Sequence, residues 1–207
     1  MTIRAVVFDF GGVLFDWNPH HLYRQLIADD GERQRFLDTV CTQAWNTEQD
    51  AGRTLAEATR TLIAEHPQHE TLIRAYYDRW HEMLRGSLPE GVAILEALHE
   101  ARMPLFGLTN WSAETFPYAR ANYPFLSYFR DIVVSGEIKL IKPDAAIYNA
   151  SLAQVRAHLP DIKPAEVVFI DDVAGNVEAA IALGWQGIHH VSADQTRERL
   201  RELGVDV

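Results

Sequence analysis

Apolar and polar positions fall into two textures along this chain. Ile3 to Phe10 is a short run rich in β-branched residues and interrupted only by Arg4 and Asp9, a pattern that predicts a buried, parallel strand. A fully buried carboxylate is costly, so Asp9 is expected at the strand's end, in a cleft. From Asn18-Pro19, an N-cap followed by a first-turn proline, to about Arg85 the spacing turns helical. Leu22, Leu26 and Ile27, then Phe36, Leu37, Val40 and Cys41, carry that period. Thr54-Leu-Ala-Glu57 has the pattern of a capping box and opens another helix. Leu72, Ile73, Tyr76, Tyr77, Trp80 and Leu84 form an apolar stripe that Gly86 ends.

Beyond Gly86 helices and short apolar strands alternate. A helix over about Pro89–Arg102 leads into PLFGLT, and one near Glu114–Asn122 into DIVVS. A helix near Ala145–His158 precedes EVVFID, Val177–Leu183 precedes GIHHV, and Ser192 caps a last helix. Such alternation predicts an α/β fold with a Rossmann-like, doubly wound parallel sheet. The all-helical stretch lies between the first strand and the rest, so it reads as an inserted helical cap. The expected domains are a core of residues 1–16 and 88–207 and a cap of residues 17–87.

Composition narrows the partners. The chain of 207 residues holds 29 Asp and Glu against 19 Lys and Arg, a net charge of −10 that argues against a nucleic-acid backbone. A single cysteine, Cys41, forms no internal disulfide and fits a reducing, cytoplasmic setting. The first residues meet an acid too early for a signal peptide, and no apolar run is long enough to span a bilayer. The pairs His20-His21 and His189-His190 lack the i,i+4 spacing of a helical zinc site.

In doubly wound sheets the active site lies outside the carboxyl ends of the strands. Here those ends are Asp9, Thr109-Asn110, Ser135 and Asp171-Asp172, and Lys142 lies in the segment KLIKPD between the last two. Clustered carboxylates repel unless a cation or proton compensates, and oxygen donors alone suit Mg²⁺.

Asp9 in VVFDFGGVL, Thr109 in GLTN, Lys142 in IKPD, and Asp171-Asp172 with Asn176 in FIDDVAGN occur in that order. This series resembles the haloacid dehalogenase superfamily, in particular its members with a helical cap after the first strand. It is similar to the subgroup of sugar-1-phosphate phosphatases and of phosphatases like the N-terminal domain of epoxide hydrolase. The resemblance implies a Mg²⁺-dependent phosphatase acting on a small phosphorylated metabolite, with a sugar phosphate as one option. Asp9 would be the nucleophile that becomes an aspartyl-phosphate. Thr109 and Asn110 would meet the phosphate, and Lys142 would neutralise both nucleophile and phosphate. Asp9, the carbonyl of Gly11, Asp171 and Asp172 would hold the metal.

One position departs from the family's pattern. Its phosphatases usually place a second Asp two residues after the nucleophile, as the acid and base; here that position is Gly11. Asp16 is the expected substitute, with the cap carboxylates Glu48 and Asp50 as alternatives, and Trp45 is expected to face the substrate. Two other readings stay open: a 2-haloacid dehalogenase in which Asp9 attacks carbon without a metal, and a fold that only binds.

Overall fold

The computed structural model describes residues 2–207. A five-stranded sheet of β1 (Ala5–Phe8), β4 (Leu105–Thr109), β5 (Asp131–Val134), β6 (Val167–Asp171) and β7 (Gln186–His189) forms its centre. The order is β5-β4-β1-β6-β7 and every pairing is parallel. The fold is the α/β, doubly wound architecture that the sequence predicts. Both faces of the sheet are covered, which is why its strands read as continuous apolar runs. Val6 and Phe8 join one core with Leu105, Ile132 and Ile170, while Ala5 and Val7 join the other with Phe106, Tyr148 and Trp185. On this second face lie α9 (Ala145–His158), through Ile147, Leu152 and Val155, and α10 (Ala174–Ala182), through Ala180. From β1 the chain proceeds to β4 and β5 on one side and then crosses to β6 on the other. The switch point therefore falls between β1 and β6.

A second, two-stranded sheet pairs β2 (Phe15–Trp17) with β3 (Leu84–Ser87), antiparallel and with a register shift between Asp16 and Trp17. Between these strands lie α1 (Pro19–Leu26), α2 (Asp30–Thr39), α3 (Gln43–Asp50), α4 (Leu55–Glu65) and α5 (Glu70–Asp78). Side chains of Asn18, Asp29, Thr42 and Thr54 accept from the first-turn amides of α1 to α4. These are the caps that stop the chain from continuing extended. The apolar stripe expected to run as one helix to Leu84 ends instead at Asp78. A 3₁₀ turn over Trp80–Glu82 follows, and Leu84 enters β3. Strand pairing with Phe15–Trp17, remote in sequence, overrides the local helical period there. Among the described residues no helix is long and apolar enough to cross a membrane.

The two sheets are joined by aromatic packing. Phe15 meets Trp111 edge-on at 5.5 Å and Tyr123 at 4.8 Å, and Trp80 lies 5.7 Å from Trp111. Below them α6 (Pro89–Glu100) presses its first turn against the loop that leads from β1 into the flap formed by β2 and β3. A Cβ on Gly91 would lie 1.9 Å from the carbonyl oxygen of Val13. Helix propensity alone favours alanine over glycine by about 1 kcal/mol. The contact reverses the sign, so Gly91→Ala is expected to lose on the order of 2 kcal/mol in urea denaturation. A gain in stability would show that the loop has room to shift.

Candidate active site

The strand ends at the switch point carry the charged groups. Asp9 directly follows β1, and its amide donates to the Ile170 carbonyl of β6 at 2.8 Å, which ties its backbone to the neighbouring strand. Asp171 is the last residue of β6. Between them stands the ammonium of Lys142, 2.8 Å from Asp9 Oδ1 and 2.7 Å from Asp171 Oδ2. Asp171 is 0 %, Lys142 4 % and Asp9 7 % exposed. Buried charges of this kind persist only when paired and hydrogen-bonded on their remaining sides. For Asp171 those sides are covered. Asn176 Nδ2 donates to Asp171 at 3.1 and 3.0 Å, and the Val173 amide at 2.7 Å. The Lys142 Nζ also lies 5.4 Å from the ring centre of Phe169.

Lys142 is held by its backbone as well. The Asn110 side chain accepts from Lys142 N at 2.9 Å and donates to Lys142 O at 3.1 Å. Asn110, expected at the phosphate, lines the cavity, and its side-chain amide bonds the main chain on either side of Lys142. Thr109 closes β4, buried, with its backbone paired to Val134.

Charge balance decides protonation. Burial pushes the Asp9 carboxyl up, to about 7, further than Lys142 pulls it down, and Asp171 adds to the rise. Burial alone would discharge Lys142, but Asp9 and Asp171 outweigh it and hold its pKa above the ordinary lysine value. Burial and then Asp171 raise Asp172 too. A divalent cation would relieve all of these carboxylates together. The donor set fits one. Asp9, Asp171 and Asp172 each offer an oxygen, and these atoms lie within 4.8 Å of one another. Gly12 makes room for this grouping. At φ +66° it already occupies a conformation that side chains rarely adopt, and a Cβ there would lie 2.1 Å from Asp172 Oδ2.

Above the charges is a cavity of about 330 Å³. Its floor includes Asp9, Gly11, Lys142 and Asp172, and its walls are Trp17, Tyr77, Trp80 and Trp111 with Asn46 and Asp50. Thr109 and Asp171 are buried and do not line the cavity, and Trp45 and Asp16 lie elsewhere. Trp45 packs on Tyr76 at 5.1 Å and Tyr77 at 5.3 Å inside the helical insertion and does not line the cavity. Asp16 sits between Phe15 and Trp17 on β2, at the register shift of that strand. Trp17 lines the cavity; Asp16 does not, and its carboxylate lies 2.8 Å from His21 Nε2. Asp50, one of the two alternative cap carboxylates, does line the cavity. Trp80 and Trp111 were not singled out, because an aromatic in an apolar run carries the same sequence signal as ordinary packing.

Residues 3–184 match the haloacid dehalogenase-like hydrolase family, and the chain belongs to it. It is a hydrolase of that family. Among curated proteins it is 28% identical to a sesquiterpene phosphatase of Aspergillus oryzae, over 98% of this chain and 97% of that one. Among solved structures, a family enzyme of Bacteroides thetaiotaomicron in complex with magnesium is 20% identical. It aligns with a TM-score of 0.69 over 92% of this chain and 94% of that one. An L-2-haloacid dehalogenase of Xanthobacter autotrophicus aligns with a TM-score of 0.61 at 19% identity, over 97% and 83% of the two chains. At these identities the solved structures speak for the fold alone.

The buried triad gives a direct expectation. Lys142→Met removes the only cation from between two buried carboxylates, a change that costs about 3–5 kcal/mol in comparable buried pairs. The variant's Tm in metal-free buffer is expected to fall accordingly. Added Mg²⁺ is expected to raise the variant's Tm more than the wild type's, because it then answers a larger uncompensated charge. A variant as stable as the wild type without metal would show that the triad is not held ionised.

Proposed function

We propose that this chain is a Mg²⁺-dependent phosphatase that hydrolyses a small phosphate monoester through an aspartyl-phosphate on Asp9. The observation that carries the reading is the buried arrangement of Asp9, Lys142 and Asp171 beside a cavity that Asp9 and Lys142 line, with Asp172 completing an all-oxygen donor set. Asp9, the Gly11 carbonyl, Asp171 and Asp172 would hold Mg²⁺, which when bound supplies positive charge to the phosphoryl oxygens. Lys142 supplies a second, fixed positive charge at the attacking carboxylate, where charge is redistributed in the transition state. Thr109, at the neighbouring strand end, contributes a hydroxyl toward the phosphate. Residues 17–87 act as a cap whose aromatic side chains exclude water from the phosphoryl group.

The walls bear on the substrate's organic part. Trp17, Tyr77, Trp80 and Trp111 present an apolar surface of a size suited to one small organic group. The relative that acts on a sesquiterpene substrate supports an apolar alcohol over a sugar here. An acidic pair at Asp171-Asp172 suits phosphoryl transfer better than carbon–halogen cleavage, since phosphoryl oxygens carry anionic charge that a metal stabilises, whereas carboxylate attack on carbon releases only a weakly coordinating halide.

The test is phosphate release across prenyl, aryl and hexose monophosphates, with and without Mg²⁺, using Asp9→Asn as control. Release is expected to require both Mg²⁺ and Asp9, and kcat/KM for the apolar esters is expected to exceed that for hexose phosphates by about tenfold or more, roughly 1.4 kcal/mol of transition-state binding. Metal-independent halide release from 2-haloacids would overturn the proposal.

A further inference from the structure

At Gly11 no side chain exists to move a proton, and a Cβ there would meet no atom within 4 Å. Protons must nevertheless be exchanged with the leaving oxygen and the attacking water. The ionisable side chains that line the cavity are Asp9, Asp50, Tyr77, Lys142 and Asp172. Asp9 is the nucleophile, Lys142 is locked between two carboxylates, and Asp172 belongs to the acidic cluster. Tyr77 donates its hydroxyl to Asn46 Oδ1 at 3.1 Å, and burial drives its pKa far above the physiological range. Asp50 remains.

Resting on the phosphatase reading, we propose that Asp50 is the general acid and base of this enzyme, supplied from the helical insertion in place of the side chain missing at Gly11. In the first step Asp9 Oδ bonds to phosphorus and the ester P–O bond breaks. Its electron pair goes to the leaving oxygen, which takes the proton of the Asp50 carboxyl. In the second step water attacks phosphorus and gives a proton to the Asp50 carboxylate, while the bond between phosphorus and Asp9 breaks and returns the Asp9 carboxylate. The sum is ester plus water to alcohol plus phosphate.

The surroundings of Asp50 are those of a proton carrier. It is the last residue of α3, where the helix's negative end disfavours an anion. Its carboxylate receives Asn46 Nδ2 at 3.1 Å and the Ser112 amide, both neutral donors. Among the ionisable groups around it, Tyr77 donates to Asn46 and Arg53 pairs with Glu48 and Gln49 Oε1. The Tyr76 hydroxyl is buried without a hydrogen-bond partner, and that burial holds its pKa well above the ordinary tyrosine value. Lys139 lies with its chain against Gly52. Burial accordingly raises Asp50 to about 7, beside the pH at which an acid and a base are needed in turn. Its backbone is pinned to the core, because Ser135 Oγ donates to the Asp50 carbonyl at 2.5 Å.

The experiment compares Asp50→Asn with the wild type on phosphate monoesters graded by leaving group, from alkyl alcohols to dinitrophenol. With alkyl phosphates kcat is expected to fall by about 10²–10⁴. Dinitrophenolate leaves without a proton, so that substrate is expected to give a stoichiometric burst followed by slow turnover as the aspartyl-phosphate accumulates. A wild-type rate on alkyl phosphates, an equal loss on every ester with no burst, or reproduction of the pattern by Asp16→Asn would each overturn the proposal. A wild type that releases no phosphate from any ester would overturn the phosphatase reading and this one with it. Stability supplies a second measurement. The native state holds the Asp50 proton to about 7 and the unfolded chain only to 3.8. Wild-type stability is therefore expected to decline relative to Asp50→Asn as pH rises through that window. The opposite slope would mean a carboxylate that the fold stabilises, and would overturn the assignment.

Discussion

One ammonium between two buried carboxylates is the constraint on which the rest of the site depends. Lys142 reaches Asp9 and Asp171 only because β1 and β6 are neighbours and end at the same level. Neither carboxylate would tolerate that depth unpaired. The supporting bonds follow from this need: Asn110 grips the backbone of Lys142, while Asn176 and the Val173 amide satisfy Asp171. With Asp172 added, the carboxylates outnumber the ammonium, and the excess negative charge is what selects for a divalent cation.

The flap and the helical insertion act on this charge cluster by covering it. Phe15 and Trp111 fasten the flap to the core, and Trp80 brings the insertion onto the same ring. Burial beneath that cover strengthens the charge interactions of the cluster. Burial also raises Asp9 and Asp50, so one physical cause acts on carboxyl groups of both parts of the chain.

Much of this was legible along the chain because the buried parallel strands are nearly pure apolar runs that end in polar residues. Asp9, Lys142 and Asp171 were readable as one cluster because the order of strands and helices leaves their ends on a single rim. What could not be read depended on contacts remote in sequence. β2 is three residues long and exists by pairing with β3, some seventy positions away. Without that pairing neither the register shift between Asp16 and Trp17 nor the place of Trp17 on the cavity is visible. Asn110 follows the same rule: its bonds to the backbone of Lys142 appear only once the two segments are brought together. Trp45 and Trp80 carry the same helical spacing signal, and only packing separates interior from cavity wall.

Gly11 and Asp50 together describe a division of labour between the two parts of the chain. An acid two residues after the nucleophile would share its rigid turn and be present whatever the insertion did. Asp50 is held at the cavity by Ser112 and Ser135 of the core, so its presence depends on the insertion being seated against those loops. In the proposed mechanism the positive charge that aids attack stays with the core in Lys142, and the proton that completes each step comes from the insertion. Phosphoryl transfer to an easy leaving group then needs only the core, whereas release of an alcohol, and the attack of water that follows, need both parts together. The chain thereby gains a condition on turnover that a side chain at position 11 would not impose. The raised protonation of Asp50 is the physical mark of the water-poor contact in which that condition is met.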